Sequence, residues 1–179
     1  MNRLILALFL FSMSHSYAQK FMTRNGEVSF LSDTDAIDVV AAINNQVGAV
    51  IDLSNGDLAF QVFMRAFHFK IALMEEHFNE NYVASDDYPK ATFRGRFVNV
   101  SALDSLSGKE LSVTGVMDMH GVQKEIKIPV RMKWQDGALV GSSSFNLLCS
   151  DFNIKIPKLV SDKISNEIQI VVNVLLTKI

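Results

Sequence analysis

Glycine-containing dipeptides lie between segments of alternating apolar and polar residues at four places: Asn25-Gly26, Asn55-Gly56, His120-Gly121 and Asp136-Gly137. Such dipeptides favour two-residue hairpin turns, because the primed turn types need positive φ. A turn of this kind moves the apolar stripe from odd to even residue numbers, since side chains alternate with period two along a strand. The stripes beside all four dipeptides change parity in this way. The pattern predicts four tight hairpins and an antiparallel, all-β fold.

The four turns also predict which residues face each other across the hairpins. The predicted pairs are Phe21 with Phe30, Leu53 with Leu58, Met119 with Val122, and Trp134 with Leu139. Further alternating runs at 91–97 and 168–176 bring the predicted total to about nine strands, each bounded by turn residues. One face of each strand is apolar and the other is polar, which is typical of a sheet that covers a core on one side.

A parity change occurs inside one predicted strand. Its apolar positions are even up to Val62 and odd from Phe67 onward. A bulge at 63–66 would reconcile the two stripes and bend the strand. Strands of ten or more residues, hairpins in series and an internal bulge favour a closed barrel over a sandwich.

Two segments have helical rather than strand-like spacing. Apolar residues recur at helical intervals in 35–46, although that segment contains several β-branched residues. The segment 73–82 places Leu73, His77 and Phe78 on one side of a helix. The sequence therefore predicts one or two short helices beside the barrel.

Small residues occur on the inward stripes, at Gly95, Gly115, Gly141 and Ser143. Glycines in strands allow the close approaches and sharp bends of barrel corners. Small inward residues can also leave a cavity, because an eight-stranded barrel has room for one small ligand. Both interpretations stay open at this point, and they are compatible.

Large apolar residues dominate the predicted inner wall. Methionine suits irregular or flexible ligands, but such stripes also simply form a core. The residues predicted to line a ligand cavity are Phe60, Val62, Phe67, Phe69, Phe78, Phe93, Phe97, Val113, Met117, Met119, Ile126, Ile128, Met132, Trp134 and Phe145. Arg65, His77 and Tyr82 lie near the parity change and the predicted helix, and they are the candidates for contacts with the polar part of a ligand.

Motifs for catalysis do not stand out. His77 and Glu80 are three residues apart on a predicted helix, but no third metal ligand is indicated. No Gly-x-Ser-x-Gly elbow or phosphate-binding loop occurs. Cys149 is the only cysteine, so an internal disulfide is excluded and the core must hold the fold. We expect neither an enzyme nor a metal site, and no cofactor.

The first residues have the pattern of a secretory signal peptide. Arg3 is followed by an apolar segment at 4–11 and by Ser16-Tyr17-Ala18, which places small residues where a signal peptidase reads. Cleavage after Ala18 would leave one domain, residues 19–179, in the periplasm or secreted. This domain has 19 acidic and, without Arg3, 16 basic residues, a net charge of −3 that offers no basic surface for nucleic acid.

Three segments together resemble one family. MEEHFNENY (74–82), YPKATFRG (88–95) and GVMDMHGVQKEI (115–126), followed by Asp151-Phe152, are similar to the YceI-like, exported polyisoprenoid-binding proteins. The resemblance covers essentially all of 19–179. It implies an eight-stranded antiparallel barrel of lipocalin-like form that holds an amphipathic lipid with a long isoprenoid chain.

Three functional hypotheses remain at this point. The first is a lipid carrier or store in the cell envelope, with transient membrane contact. The second is a filled barrel that acts as a non-enzymatic interaction module in an envelope stress system. The third is a small lipid hydrolase or isomerase. The sequence leaves open the identity of the lipid and the oligomeric state.

Overall fold

The computed structural model describes residues 19–32, 39–160 and 163–179. Within these ranges the chain forms nine strands and one short α-helix, α1 (Ala72–His77), which continues into a π-type turn at Phe78–Tyr82. The strands are β1 (Lys20–Ser32), β2 (Val40–Asp52), β3 (Asp57–Phe63), β4 (His68–Phe69), β5 (Lys90–Phe97), β6 (Ser107–Met119), β7 (Val122–Gln135), β8 (Ala138–Leu148) and β9 (Glu167–Lys178). None of the described helices is long and apolar enough to cross a membrane.

The sheet closes on itself. Its order is β1-β9-β8-β7-β6-β5-β3-β2, every pairing is antiparallel, and β1 pairs with β2 to complete the circle. The two residues of β4 also pair with β2, beyond the end of β3. Because β3 and β4 share this partner, they act as one interrupted strand of an eight-stranded barrel. The predicted antiparallel, all-β barrel with a short helix is confirmed.

The parity change lies where β3 gives way to β4. A 3₁₀ turn at Met64–Ala66 separates the two strands, so the interruption is larger than the single bulge that the sequence suggested. Met64 is buried, and its N–H donates to the Pro89 carbonyl oxygen (3.0 Å). The turn therefore packs into the barrel wall while the chain changes register along β2.

Two of the four predicted hairpins have the expected register. Met119 pairs with Val122 across His120-Gly121, and Trp134 pairs with Leu139 across Asp136-Gly137. All four turn residues have positive φ, between 50° and 78°. Positive φ at both central residues is what a two-residue turn of type I′ requires.

The loop at Asn55-Gly56 is longer than predicted. Leu58 pairs with Ile51 and not with the predicted Leu53. Four residues, 53–56, connect β2 to β3. The Asp52 carboxylate accepts a hydrogen bond from the Ser54 N–H (3.0 Å) and another from the Ser54 hydroxyl, which also lowers the pKa of Asp52. These local bonds stabilise a wider turn. The register shifts by two residues, so the apolar side chains stay on the predicted face.

The predicted hairpin at Asn25-Gly26 is wrong. β1 runs through this dipeptide as one strand with register shifts on both sides of Gly26. Gly26 is buried, and a Cβ there would lie 2.9 Å from the Val174 Cγ1 atom and 3.3 Å from Val47. Gly26 therefore provides a bulge and a close approach inside the barrel wall rather than a turn.

The predicted helix at 35–46 is also wrong over its described part, because residues 40–46 belong to β2; residues 35–38 lie outside the described ranges. Asn44 is fully buried on the inner side of the strand. Its Nδ2 group donates to the Phe63 carbonyl oxygen and its Oδ1 accepts from the Gln46 N–H, both at 2.8 Å. Pairing with β1 and β4 overrides the helical spacing. The helix predicted at 73–82 is confirmed as α1 and its π-type continuation.

The two ends of the barrel differ in packing. The end with the 53–56 loop and the 136–137 turn, called the closed end here, is filled by a cluster that includes Phe97, Leu139 and Leu176. The other end, called the open end, carries the 120–121 turn, α1 and residues 149–160. Its cluster includes Phe67 and Phe152.

Replacing Gly121 with valine is expected to lower the free energy of unfolding by about 1–3 kcal/mol. Gly121 has φ +73°, which a β-branched residue resists. A Cβ at this position would also lie 2.8 Å from the Tyr88 ring. Chemical denaturation measures the loss. Gly137→Val is the matched control, because its φ is +78° but, among the residues that the structure describes, none beyond its chain neighbours has an atom within 4 Å of its Cβ position. A loss in the control as large as that at Gly121 would contradict the contribution of Tyr88.

Candidate ligand-binding cavity

An apolar cavity of about 500 Å³ occupies the barrel interior and reaches the surface at the open end. Every barrel strand contributes inward side chains to its wall, as do α1 and the segment after β8. At the open end its lining includes Ile71, Leu73 and Leu148, which are all substantially exposed. The cavity therefore offers an apolar interior that a ligand can enter from one end.

Most of the residues predicted to line a cavity do face this space. They are Phe60, Val62, Phe67, Phe69, Phe78, Phe93, Phe97, Met117, Met119, Ile128, Met132 and Phe145. Those that lie in strands share the inward parity that the alternating stripes predicted, whereas Phe78 reaches the cavity from the π-type turn.

Three predicted lining residues lie elsewhere. Val113 is fully buried in the closed-end cluster, beneath the cavity. Ile126 is partly buried and packs on the same cluster. Trp134 is 48% exposed at the rim of the closed end, where its ring meets Phe21 edge-on at 5.3 Å. Parity assigned these residues to the inner side, but it does not show which inward residues border open space: Val113 and Trp134 lie toward the closed end, whereas Ile126 lies opposite Gly115 at a level where neighbouring residues do line the cavity.

Some of the inward glycines allow a close approach of strands, and another borders the cavity. Gly95 and Gly115 face each other across β5 and β6, and neither lines the cavity. A Cβ on Gly115 would lie 2.3 Å from the Arg94 carbonyl oxygen, so these glycines permit a close approach of two backbones. Of the two interpretations, close approach and not open space therefore applies at Gly115. Gly141 and Ser143 do line the cavity.

Four phenylalanines hold the helical segment against the open end. Phe30 of β1 contacts Phe67, Phe69 and Phe78, with ring centroids 5.4–5.7 Å apart. Phe78 also contacts Phe67 and Phe69, at 5.6 and 5.1 Å. Phe78 lies just beyond α1, so this cluster anchors the helix over the barrel interior. Sequence reasoning missed Phe30 as a lining residue, because it placed Phe30 in a hairpin that does not form.

The three head-group candidates occupy different positions. His77 and Tyr82 line the cavity beside Phe78, and burial raises the pKa of Tyr82, which keeps its hydroxyl as a donor. The exposed Arg65 pairs with Asp86 and does not reach the cavity. In the described parts of the chain, no three His, Cys, Asp or Glu side chains gather as a metal site would need.

The segment that follows β8 supplies lining residues that sequence reasoning did not select. They include Cys149, Ile154, Ile156, Val160, Lys163 and Ile164. The alternation of Ile154 and Ile156 was a weak signal of inward-facing chain. The segment has no long strand to extend that signal, so its position depends on long-range contacts.

One of those contacts joins the segment to the 120–121 turn. His120 Nδ1 donates to the Phe152 carbonyl oxygen (2.9 Å), and the His120 ring packs on Tyr88 with centroids 4.6 Å apart. Lys124 forms an ion pair with Asp151. The 88–95, 115–126 and 151–152 motifs thus meet at the open end, where they hold the cavity wall together.

The sequence of the chain matches the YceI-like domain model over residues 10–176, which is most of its length. The chain belongs to the YceI-like domain family. Its barrel and open-end motifs agree with that membership. No curated protein matches the sequence.

Solved structures have the same fold. BcnA from Burkholderia cenocepacia is 16% identical, with a TM-score of 0.71 over 86% of this chain and 96% of that chain. A polyisoprenoid binding domain from Saccharophagus degradans, implicated in plant cell wall breakdown, is 14% identical, with a TM-score of 0.73 over 90% and 99%. The YCEI protein of Campylobacter jejuni is 17% identical, with a TM-score of 0.62 over 80% and 87%. At these identities the likeness shows the fold.

The cysteine of this YceI-like chain is expected to react slowly. Burial raises the pKa of Cys149 to about 11. Because the thiolate is the reactive form, alkylation by iodoacetamide at neutral pH should be about 100-fold slower than for an ordinary thiol. Mass spectrometry over a time course measures the rate. The same protein unfolded in guanidinium is the control and should react at the ordinary rate; equal rates in the two states would show that Cys149 is accessible.

Proposed function

We propose that this YceI-like protein binds an amphipathic lipid with an isoprenoid-type chain and carries or stores it in the cell envelope. The observation that carries the proposal is the apolar cavity, which is closed at one end and reaches the surface at the other. An apolar chain would leave water by entering this space, at a gain of about 25 cal/mol for each Å² of apolar surface that is buried.

The cavity wall suits a branched and flexible chain. Met117, Met119 and Met132 line the interior together with several phenylalanine rings, and methionine adapts to irregular ligand shapes. The similarity in fold to a polyisoprenoid binding domain supports the choice of an isoprenoid over a straight fatty chain. The lining residues described above would bind the chain mainly by apolar contact.

The polar head group would remain at the open end. His77 and Tyr82 are the proposed contacts, since both face the cavity near its opening and both can donate hydrogen bonds. Arg65 is not a proposed head-group contact, because it is paired with Asp86 outside the cavity. No catalytic step and no cofactor apart from the lipid are part of the proposal.

Exposed apolar side chains at the open end support transient contact with a membrane. Leu73 of α1 is 56% exposed, Ile71 is 43% exposed, and Leu159 is 93% exposed. These side chains would enter the lipid interface while the ligand passes between the bilayer and the cavity.

Export to the periplasm or the exterior is part of the same proposal. Its basis is the signal-peptide pattern of residues 1–18, which lie outside the described ranges. Intact mass of the protein purified from the envelope fraction tests it. A chain that begins at Gln19 is expected, and a chain that retains residues 1–18 in the membrane pellet would exclude the proposed cleavage.

Native mass spectrometry of the purified mature protein, combined with organic extraction, tests the lipid. We expect a bound species that is lost on extraction and is restored by adding a prenol such as farnesol. A protein that purifies empty and takes up no prenol would overturn the proposal in favour of the interaction module. Chemical conversion of the extracted lipid by the protein would instead favour the enzyme hypothesis.

A further inference from the structure

On the β7–β9 side of the barrel, one layer of residues limits the depth of the cavity. Gly141 of β8 pairs with Met132 of β7 on one side and with Val174 of β9 on the other, and all three line the cavity. On the closed-end side of this layer, Leu139 and Leu176 form the next pair, and both are fully buried. Neither of them lines the cavity. On this side of the barrel the layer at Gly141 is therefore the floor against which a bound chain would end, while Leu58 and Phe97 of the closed-end cluster line the cavity on the β3 and β5 side.

The backbone conformation at position 141 does not require a glycine. Gly141 is not among the glycines with positive φ, and no backbone atom is among the nearest neighbours of its Cβ position. Those neighbours are side-chain atoms: Val174 Cγ2 at 3.0 Å, and Met132 Cε and Cγ at 3.7 and 4.0 Å. Gly115 differs in this respect, because backbone atoms would meet its Cβ. A longer side chain at 141 would have to extend past these neighbours into the cavity.

We propose that Gly141 determines the length of the apolar chain that the barrel accepts. This inference rests on the proposed lipid-binding function. A methylene-sized group takes about 30 Å³, the volume that one water occupies in the liquid, so a cavity of about 500 Å³ holds about 17 carbon atoms. That corresponds to three or four isoprene units, and the remainder of a longer chain would lie at the open end beside its head group.

The test measures affinity against chain length. The delipidated mature protein is titrated with geraniol, farnesol and geranylgeraniol, which contain two, three and four isoprene units, by displacement of a fluorescent apolar dye. The affinity of the unchanged protein should rise from geraniol through farnesol to geranylgeraniol. Gly141→Leu should weaken geranylgeraniol binding by tenfold or more, which is about 1.4 kcal/mol. The same substitution should change geraniol binding by no more than about twofold, or about 0.4 kcal/mol.

Ala91→Leu is the matched control. Ala91 lines the cavity near the start of β5, at the open end, and already carries a Cβ. A leucine there should weaken the binding of all three prenols by the same factor, because every chain must pass this residue. Gly141→Ala keeps the test valid if Gly141→Leu does not fold, and it should produce a smaller loss that is again greatest for geranylgeraniol.

The outcomes separate the two levels of the proposal. If the unchanged protein binds no prenol, the lipid-binding function fails, and the role of Gly141 fails with it. If the unchanged protein binds the series but the Gly141 variants lose affinity equally at every length, the function stands and the role of Gly141 is refuted. A loss that grows with chain length at Gly141 and stays uniform at Ala91 supports the inference.

Discussion

Replacing Gly115 with alanine is expected to lower the free energy of unfolding by about 3 kcal/mol or more. The new Cβ would lie 2.3 Å from the Arg94 carbonyl oxygen and 2.4 Å from the Gly95 Cα atom. Favourable contacts between carbon atoms are at about 3.5–4.0 Å. All the colliding atoms belong to the backbone of β5, so a change of rotamer cannot relieve the clash. The two strands would have to separate where Gly95 and Gly115 pair.

Urea denaturation of the purified variant measures this loss, and Gly48→Ala is the matched control. Gly48 also lies inside a long strand, but the nearest atom to its Cβ position is the Gln61 carbonyl oxygen at 4.0 Å. Alanine there should be neutral or stabilising by up to about 1 kcal/mol, because glycine has the greater entropy in the unfolded chain. If Gly115→Ala were as stable as Gly48→Ala, the close approach of β5 and β6 would be wrong.

Replacing Phe152 with alanine should lower stability by about 3–5 kcal/mol, the usual range for a buried phenylalanine. The Phe152 side chain is fully buried in the open-end cluster. It packs behind the cavity wall and does not line the cavity, so its loss would leave a hole between the wall and the segment after β8. The same residue's carbonyl oxygen accepts from His120, which a change of side chain leaves in place.

The same denaturation experiment tests Phe152→Ala, with Leu159→Ala as the control. Leu159 is 93% exposed, so its truncation should change stability by no more than about 0.5 kcal/mol. Folded Phe152→Ala protein should keep the preference of the unchanged protein among prenols, because the floor and the inner wall are intact. A loss below 1 kcal/mol, on the order of that for an exposed site, would show that this part of the chain is not packed as described.

Local features of the sequence predicted much of the candidate site. Alternation places Phe60, Phe93 and Met132 on the inner side wherever the chain forms a strand, whatever its partners are. The identity of the partners was predictable only at short range, as in the Met119–Val122 hairpin, where two residues with positive φ determine the register. At Asn55-Gly56, bonds from Ser54 to Asp52 widened the loop, which a dipeptide pattern does not reveal.

The sequence by itself determined which residues form strands over most of the chain, which side of each strand is apolar, and two of the hairpins. These follow from side-chain alternation and from turn conformation, which act between neighbouring residues. The tertiary structure alone decided that β1 passes straight through Asn25-Gly26, that Val40 begins a strand, and that Ile154 faces the cavity. It also decided that the backbone of β5 occupies the space beside Gly115, while Gly141 lines the cavity with only side-chain atoms near its Cβ position. The physical reason is that these features depend on atoms from strands distant in sequence, whose approach is determined only when the barrel closes.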